Sequence, residues 1–175
     1  EVSPEVMKAM TDTVTPQGLL AIAKIPSQSL SELFSSQKGA LKLAYFWEIQ
    51  DPGNAGTVIR AADAFGFDGV LFSDKSVDAY SPKVVRSSAG SHWHIPIIED
   101  VMLEALISAA QENSFELYAT DADADLDLLV AAQESASKSA IWIFGNEARG
   151  IPRDLASKRV AIPINGKAES LNLAT

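Results

Sequence analysis

Apolar residues arrive along this chain in short runs separated by amphipathic stretches. Residues 41–47 (LKLAYFW), 69–72 (GVLF), 115–120 (FELYAT), 140–144 (AIWIF) and 159–162 (RVAI) have the length of buried strands. Between the first two, 54–65 (NAGTVIRAADAF) spaces Val58, Ala61, Ala62 and Phe65 as one helical face, and Gly66 follows as a stop. The pattern further predicts a helix over 101–112, a short helix over 83–88 and a strand over 94–98. Strands alternating with helices predict an α/β fold with a mainly parallel sheet and helices on both faces. The opening 40 residues are less regular. Ser3-Pro4-Glu5 with Val6, Met7 and Met10 predicts a short capped helix, since Pro is favoured at the first helical position. Pro16-Gln17-Gly18 predicts a turn, 19–25 a short apolar strand ended by Pro26, and the Ser-rich 27–39 a linker or short helix.

Composition narrows the class. At 175 residues with 47% hydrophobic and 21% charged residues, the chain is about one domain with a sizeable core. The absence of Cys excludes a disulfide framework and Cys-ligated metal. No apolar run approaches the ~18 residues of a membrane span, and no secretory signal pattern opens the chain. A cytoplasmic enzyme or binding domain is the expectation. The chain opens on Glu1 and stops at Thr175 in mid-pattern, so a larger parent protein is expected.

The net charge of -9 would disfavour a polyanionic partner if it were evenly spread. It is not. Ten acids and one base lie between Glu99 and Lys138, so that segment carries the whole excess and the remainder is neutral. Residues 139–175 hold five bases and three acids. The acidic side, including the Asp121–Asp127 run (DADADLD), expected as a solvated loop, should therefore face away from any polyanionic partner.

Three motifs carry candidate chemistry. Asp51-Pro52-Gly53-Asn54-Ala55-Gly56, with Arg60 about two turns later, joins a strand to a helix N-terminus. Small residues admit close backbone approach and free N–H groups favour anions; taken alone, though, the motif reads more simply as a helix capped by Asn54 with a solvated Arg60. The second motif, Gly145-Asn146-Glu147-Ala148-Arg149-Gly150-Ile151-Pro152, leaves a buried strand. It suits a loop wrapping a cofactor with backbone groups, or an ordinary strand-to-helix turn. It is not G-x-G-x-x-G, so the dinucleotide fingerprint is absent. The third runs from Ile162-Pro163-Ile164 to Ser170-Leu171-Asn172, where Ser170 and Asn172 should open a helix; a plain Ser170 cap is the alternative.

In this order the three motifs closely resemble the SpoU (TrmH-type) branch of the SPOUT RNA methyltransferases, over roughly 41–175. The middle segment 81–97 (SPKVVRSSAGSHWHIPI) is similar to the family's as well. The resemblance implies an α/β sheet with a C-terminal trefoil knot, a rarity among folds. It divides the chain into 1–39, the end of an N-terminal RNA-recognition domain plus linker, and 40–175, the catalytic domain without its last helix. It implies transfer of a methyl group from S-adenosylmethionine to a ribose 2′-hydroxyl of rRNA or tRNA, with rRNA favoured, by a homodimer. Asn54, Arg60, Glu147, Ser170 and Asn172 match the functional polar positions. Gly145, Ile162 and Leu171 would contact the cofactor, with Thr120, Phe144, Gly150 and Ile164 assigned to the same site. Arg60 would hold RNA; Arg86 either touches an RNA phosphate or is a solvated side chain.

The residue types fit that chemistry. The sulfonium is an activated donor that needs no metal, and the difficult partner is the weakly nucleophilic 2′-hydroxyl. Arg60 is a poor literal base, because its pKa exceeds ~12. It suits clamping a phosphate and stabilising the developing alkoxide. A phosphate oxygen, a water or Arg60 itself then takes the proton. Ser170 and Asn172 would position the ribose and Arg60, and Glu147 would orient neighbouring polar groups. His92-Trp93-His94 is a weak metal pattern without a clear carboxylate partner and reads better as a strand. The D-x-D-x-D run lacks the Gly and terminal Glu of a calcium loop. Arg149, Arg153, Lys158 and Arg159 either form a basic group beside the second motif or scatter over the surface. A non-catalytic RNA-binding or assembly protein on the same fold is the alternative from another class; the intact Arg60, Glu147, Ser170 and Asn172 argue against it.

Overall fold

A computed structural model describes residues 1–35, 39–146, 149–152, 155, 157–168 and 170–174. At its centre stands β1 (Lys42–Phe46), whose side chains alternate between two buried environments. Leu43 and Tyr45 enter one cluster and Ala44 and Phe46 another, as expected of a strand covered on both faces. β2 (Gly69–Phe72) and β3 (Ile97–Ile98) extend the sheet to one side. β6 (Ala140–Phe144), β4 (Glu116–Thr120), β7 (Lys158–Ala161) and β5 (Leu126–Asp127) extend it to the other. The order is β3-β2-β1-β6-β4-β7-β5, and all six pairings between these strands are parallel. The expected α/β class with a parallel sheet holds.

Helices cover both faces. α3 (Pro52–Ala64), α4 (Pro82–Ser87) and α6 (Leu128–Ser135) lie over the face that carries Phe46, Val70 and Trp142. α2 (Leu30–Ser35) and α5 (Leu103–Glu112) lie over the face of Leu43, Ile141 and Leu117. Leu33 of α2 is buried there and Phe34 stacks on Phe115 with ring centroids 4.6 Å apart. α3 and α4 cross closely because Gly56 lacks a side chain. A Cβ at that position would stand 1.9 Å from Ser87 Oγ and 2.6 Å from the Val84 carbonyl oxygen. The smallness of Gly56, read in sequence as room for a ligand, admits a helix instead.

α1 (Pro4–Ala9) forms with Ser3 as its cap, as the pattern predicts. Four other expectations are corrected. Residues 19–25 form no strand: Leu19 and Ile22 are 93% and 94% exposed, and an apolar run without a partner strand has no ladder to join. The 94–98 strand shortens to β3, because Ser91–Trp93 form a single 3-10 turn that His94 closes. Trp93 is therefore an exposed turn residue rather than a strand residue. The acidic run does not end in open loop: Leu126–Asp127 pair with β7, and Asp127 caps the unforeseen α6 by accepting from the Leu129 N–H at 2.7 Å. Finally, Asp51, not Asn54, caps α3, accepting the Asn54 N–H at 2.8 Å.

Candidate active site

The carboxyl ends of β4, β6 and β7 open into one concave cavity of about 210 Å³. Thr120 and Phe144 are the last residues of β4 and β6, and Ile162 follows β7 directly. The segment beyond β7 returns across the mouth, adding Ile164, Ser170, Leu171, Asn172 and Leu173 to the wall. Crevices outside the carboxyl ends of the strands are where open α/β sheets bind ligands.

Seven sequence-designated residues thus meet in one place: Thr120, Phe144, Ile162, Ile164, Ser170, Leu171 and Asn172. No helix opens at Ser170 and Asn172 among the described residues. Asn172 instead accepts the Ala174 N–H on its Oδ1 at 2.8 Å, a local turn that turns the chain inward. Thr120 donates to the Ile143 carbonyl at 3.3 Å. Asp121, absent from the sequence reading, also lines the cavity, held by Arg159 at 3.3 Å. An acid directly after a strand end was the available signal.

Asn54, Arg60, Arg86, Gly145 and Gly150 do not line this cavity. Asn54 lies in the first turn of α3. Arg60 is exposed further along that helix and makes no ion pair or hydrogen bond with another described residue. α3 does form the wall of an adjoining apolar groove with Val58, Ala61, Ala62 and Phe65, and Phe144 and Leu173 line both spaces. Arg86 is exposed on α4, which Ser87 ties to α3 by donating to the Pro52 carbonyl at 3.1 Å. Gly145 serves the loop's own closure: a Cβ there would stand 2.6 Å from the Gly150 carbonyl carbon. Gly150 takes a φ of 63°, a backbone conformation that favours glycine. Glu147 and Arg153 lie outside the described residues.

The remaining basic residues near the second motif do not form a patch. Lys158, at the opposite end of β7, pairs with Glu116 at 3.1 Å and Glu134 at 3.0 Å. Arg159 is bound to Asp121, and Arg149 is paired with Glu48. The histidines are engaged separately. His94 Nδ1 lies 2.9 Å from Asp63, the carboxylate partner missing from the sequence reading, while His92 contacts Ser88 and the Ala79 carbonyl, both at 2.6 Å.

A parallel sheet with a small apolar cavity at the carboxyl ends of its strands, edged by a few hydroxyl, amide and carboxylate groups, defines an α/β protein built to hold a compact ligand with polar substituents. Residues 43–175 match the model of the SpoU rRNA Methylase family, and the chain belongs to that family. Among its relatives is the 23S rRNA (guanosine(2553)-2′-O)-methyltransferase RlmP of Bacillus subtilis, 34% identical over 98% of this chain and 66% of that protein. Another is the 23S rRNA (uridine(2479)-2′-O)-methyltransferase of Streptomyces viridochromogenes, 31% identical over 91% of this chain and 56% of that protein. The crystal structure of the SpoU methyltransferase AviRb from Streptomyces viridochromogenes, in complex with AdoMet, superposes with a TM-score of 0.74 at 29% identity. That match covers 85% of this chain and 60% of AviRb. The chain thus spans less than two thirds of the length of these relatives.

Proposed function

We propose that the protein is an S-adenosylmethionine-dependent RNA 2′-O-ribose methyltransferase acting on rRNA. The observation that carries this reading is the convergence of Thr120, Phe144, Ile162, Ile164, Ser170, Leu171 and Asn172, drawn from separate stretches of chain, on one cavity in a SpoU-family fold. The donor set suits the cofactor. Val160, Ile162, Ile164, Leu171 and Leu173 offer apolar contact for an adenine, and Thr120 and Asp121 offer polar atoms for ribose hydroxyls. When bound, S-adenosylmethionine supplies a methyl group already activated on a sulfonium.

The chain's own residues do the rest. Arg60, exposed and without a described partner, clamps an RNA phosphate and stabilises charge developing on the attacking 2′-oxygen. Ser170 and Asn172, at the cavity, orient the ribose; the Asn172 side-chain amide N–H groups remain available to donate. Glu147 orients polar groups of its loop, Asn54 steadies the first turn of Arg60's helix, and Arg86 contacts the RNA backbone. Gly145 and Gly150 let the loop close beside the cofactor. The segment after β7 completes a trefoil knot, and 1–39 is the end of an RNA-recognition domain plus linker. The enzyme works as a cytoplasmic homodimer; the apolar groove of α3, with Phe65 80% exposed at its end, supports an interface there.

Calorimetry with S-adenosylmethionine, paired with a methyl-transfer assay on rRNA, tests the reading. Arg60→Ala is expected to lower transfer by roughly a hundredfold, the scale of losing one charge-stabilising group, and to leave cofactor affinity nearly unchanged. No cofactor binding by the wild-type protein refutes the enzyme. Equal losses of affinity and rate in Arg60→Ala place Arg60 in the cofactor pocket instead.

A further inference from the structure

Glu48 has no part in the chemistry above, yet it is the one buried carboxylate among the described residues, 3% exposed. Its φ of 53° is uncommon for a residue with a side chain, so surrounding structure must hold it. Three loops do so. Its N–H donates to Ser73 Oγ, after β2, at 2.7 Å. Its carbonyl accepts Asn146 Nδ2, after β6, at 2.9 Å. Its carboxylate pairs with Arg149 and stands 3.6 Å from Lys75 Nζ. Glu48 itself lies in the loop that leads from β1 to the α3 cap, Asp51.

The Arg149 end of this link is equally built. The guanidinium lies 5.8 Å from the centroid of the Trp47 ring. The Arg149 N–H donates to Asn146 Oδ1 at 3.3 Å, and the Gly150 N–H donates to the Asn146 carbonyl at 2.8 Å. Trp47 N–H in turn donates to the carbonyl of Phe144, a wall of the cavity, at 2.9 Å. A buried carboxylate left without its cation is costly, so the pair resists opening.

We infer that Glu48 is a positioning residue: through Arg149 it holds Asn146, Arg149 and Gly150 against the loop that starts α3, in the arrangement that accepts the cofactor. The inference rests on the S-adenosylmethionine reading above. It is tested on the full chain with Glu48→Gln, Arg149→Met and the double variant, by cofactor calorimetry and amide hydrogen exchange, with thermal unfolding as the fold check. Each single variant is expected to weaken cofactor binding about tenfold and to speed exchange of the Arg149 and Gly150 amides, which are bonded to Asn146, in the cofactor-free protein. The double variant should lose about as much as one single variant, because residues acting as one unit are not additive. Arg149→Lys should restore part of the affinity. Should Glu48→Gln fail to fold, Arg149→Met, whose side chain is 63% exposed, decides alone. Wild-type affinity and loop exchange in the folded variants, or purely additive losses, overturn the inference. A wild-type protein that binds no cofactor overturns the S-adenosylmethionine reading and this inference with it.

Discussion

Single residues decide how closely the pieces of this molecule approach one another. Gly56 is the clearest case, since any side chain there meets both the Ser87 hydroxyl and the Val84 carbonyl of α4. Gly56→Ala is expected to destabilise the fold by about 1–3 kcal/mol, the range for overpacking a tight contact, measurable by urea unfolding. The same change should displace α4, and with it Arg86. Glu48 illustrates what a sequence hides at this scale. Its burial depends on an arginine 101 residues away, and no local pattern marks it. Asp121 was more accessible to reasoning, as a polar residue at the carboxyl end of a strand, where α/β sites gather.

Elements form where a face of regular spacing coincides with a cap. α3 has both: Val58, Ile59 and Ala62 are buried, and Asp51 holds the first turn through the Asn54 N–H. Asp51→Ala is expected to cost about 1 kcal/mol by loss of the cap, while Asp51→Asn retains most of it; denaturant midpoints of the two variants separate these outcomes. The strands β2 and β6 were legible because each is an unbroken apolar run of strand length, as two-sided burial requires, and β1, β4 and β7 because each holds two or more consecutive apolar residues. α6 escaped notice because its cap, Asp127, sits among acids any of which could cap or simply be solvated. The 19–25 run misled for the opposite reason: it has a strand's composition and no neighbour to pair with. The cavity lining was legible only through its family motifs, since residues 120, 144, 162 and 171 share no periodicity.

At the scale of the whole molecule, part of the acidic segment is tied down by specific pairs, at Glu116, Asp121 and Glu134. Lys138 and Lys158 converge on Glu116, with Tyr118 donating to the same carboxylate. The Lys138 and Tyr118 hydrogen bonds bring the Glu116 carboxyl down to about 2 from its ordinary 4.5. A folded-state value below the unfolded one means stabilisation that is fully present above about pH 4.5 and disappears as pH falls towards about 2. Because the pairs are partly solvated, the effect belongs to the small range of surface bridges, below about 1 kcal/mol each. Wild type and Glu116→Gln are therefore expected to differ in melting temperature at pH 7 and to converge near pH 2, a comparison made by calorimetry.

The placement of β6 has a consequence for how the molecule is made. Residues 42–46 leave the ribosome long before residues 140–144, yet the later strand lies between β1 and β4 and pairs with both. Until it emerges, β1 presents an open edge and β4 has no link to the half already formed. The nascent chain thus carries two unjoined sheet fragments, each with a strand edge able to pair with a neighbouring chain. Seven of the eleven residues that line the cavity follow that junction, so competence to hold a ligand is acquired only after the sheet has been joined.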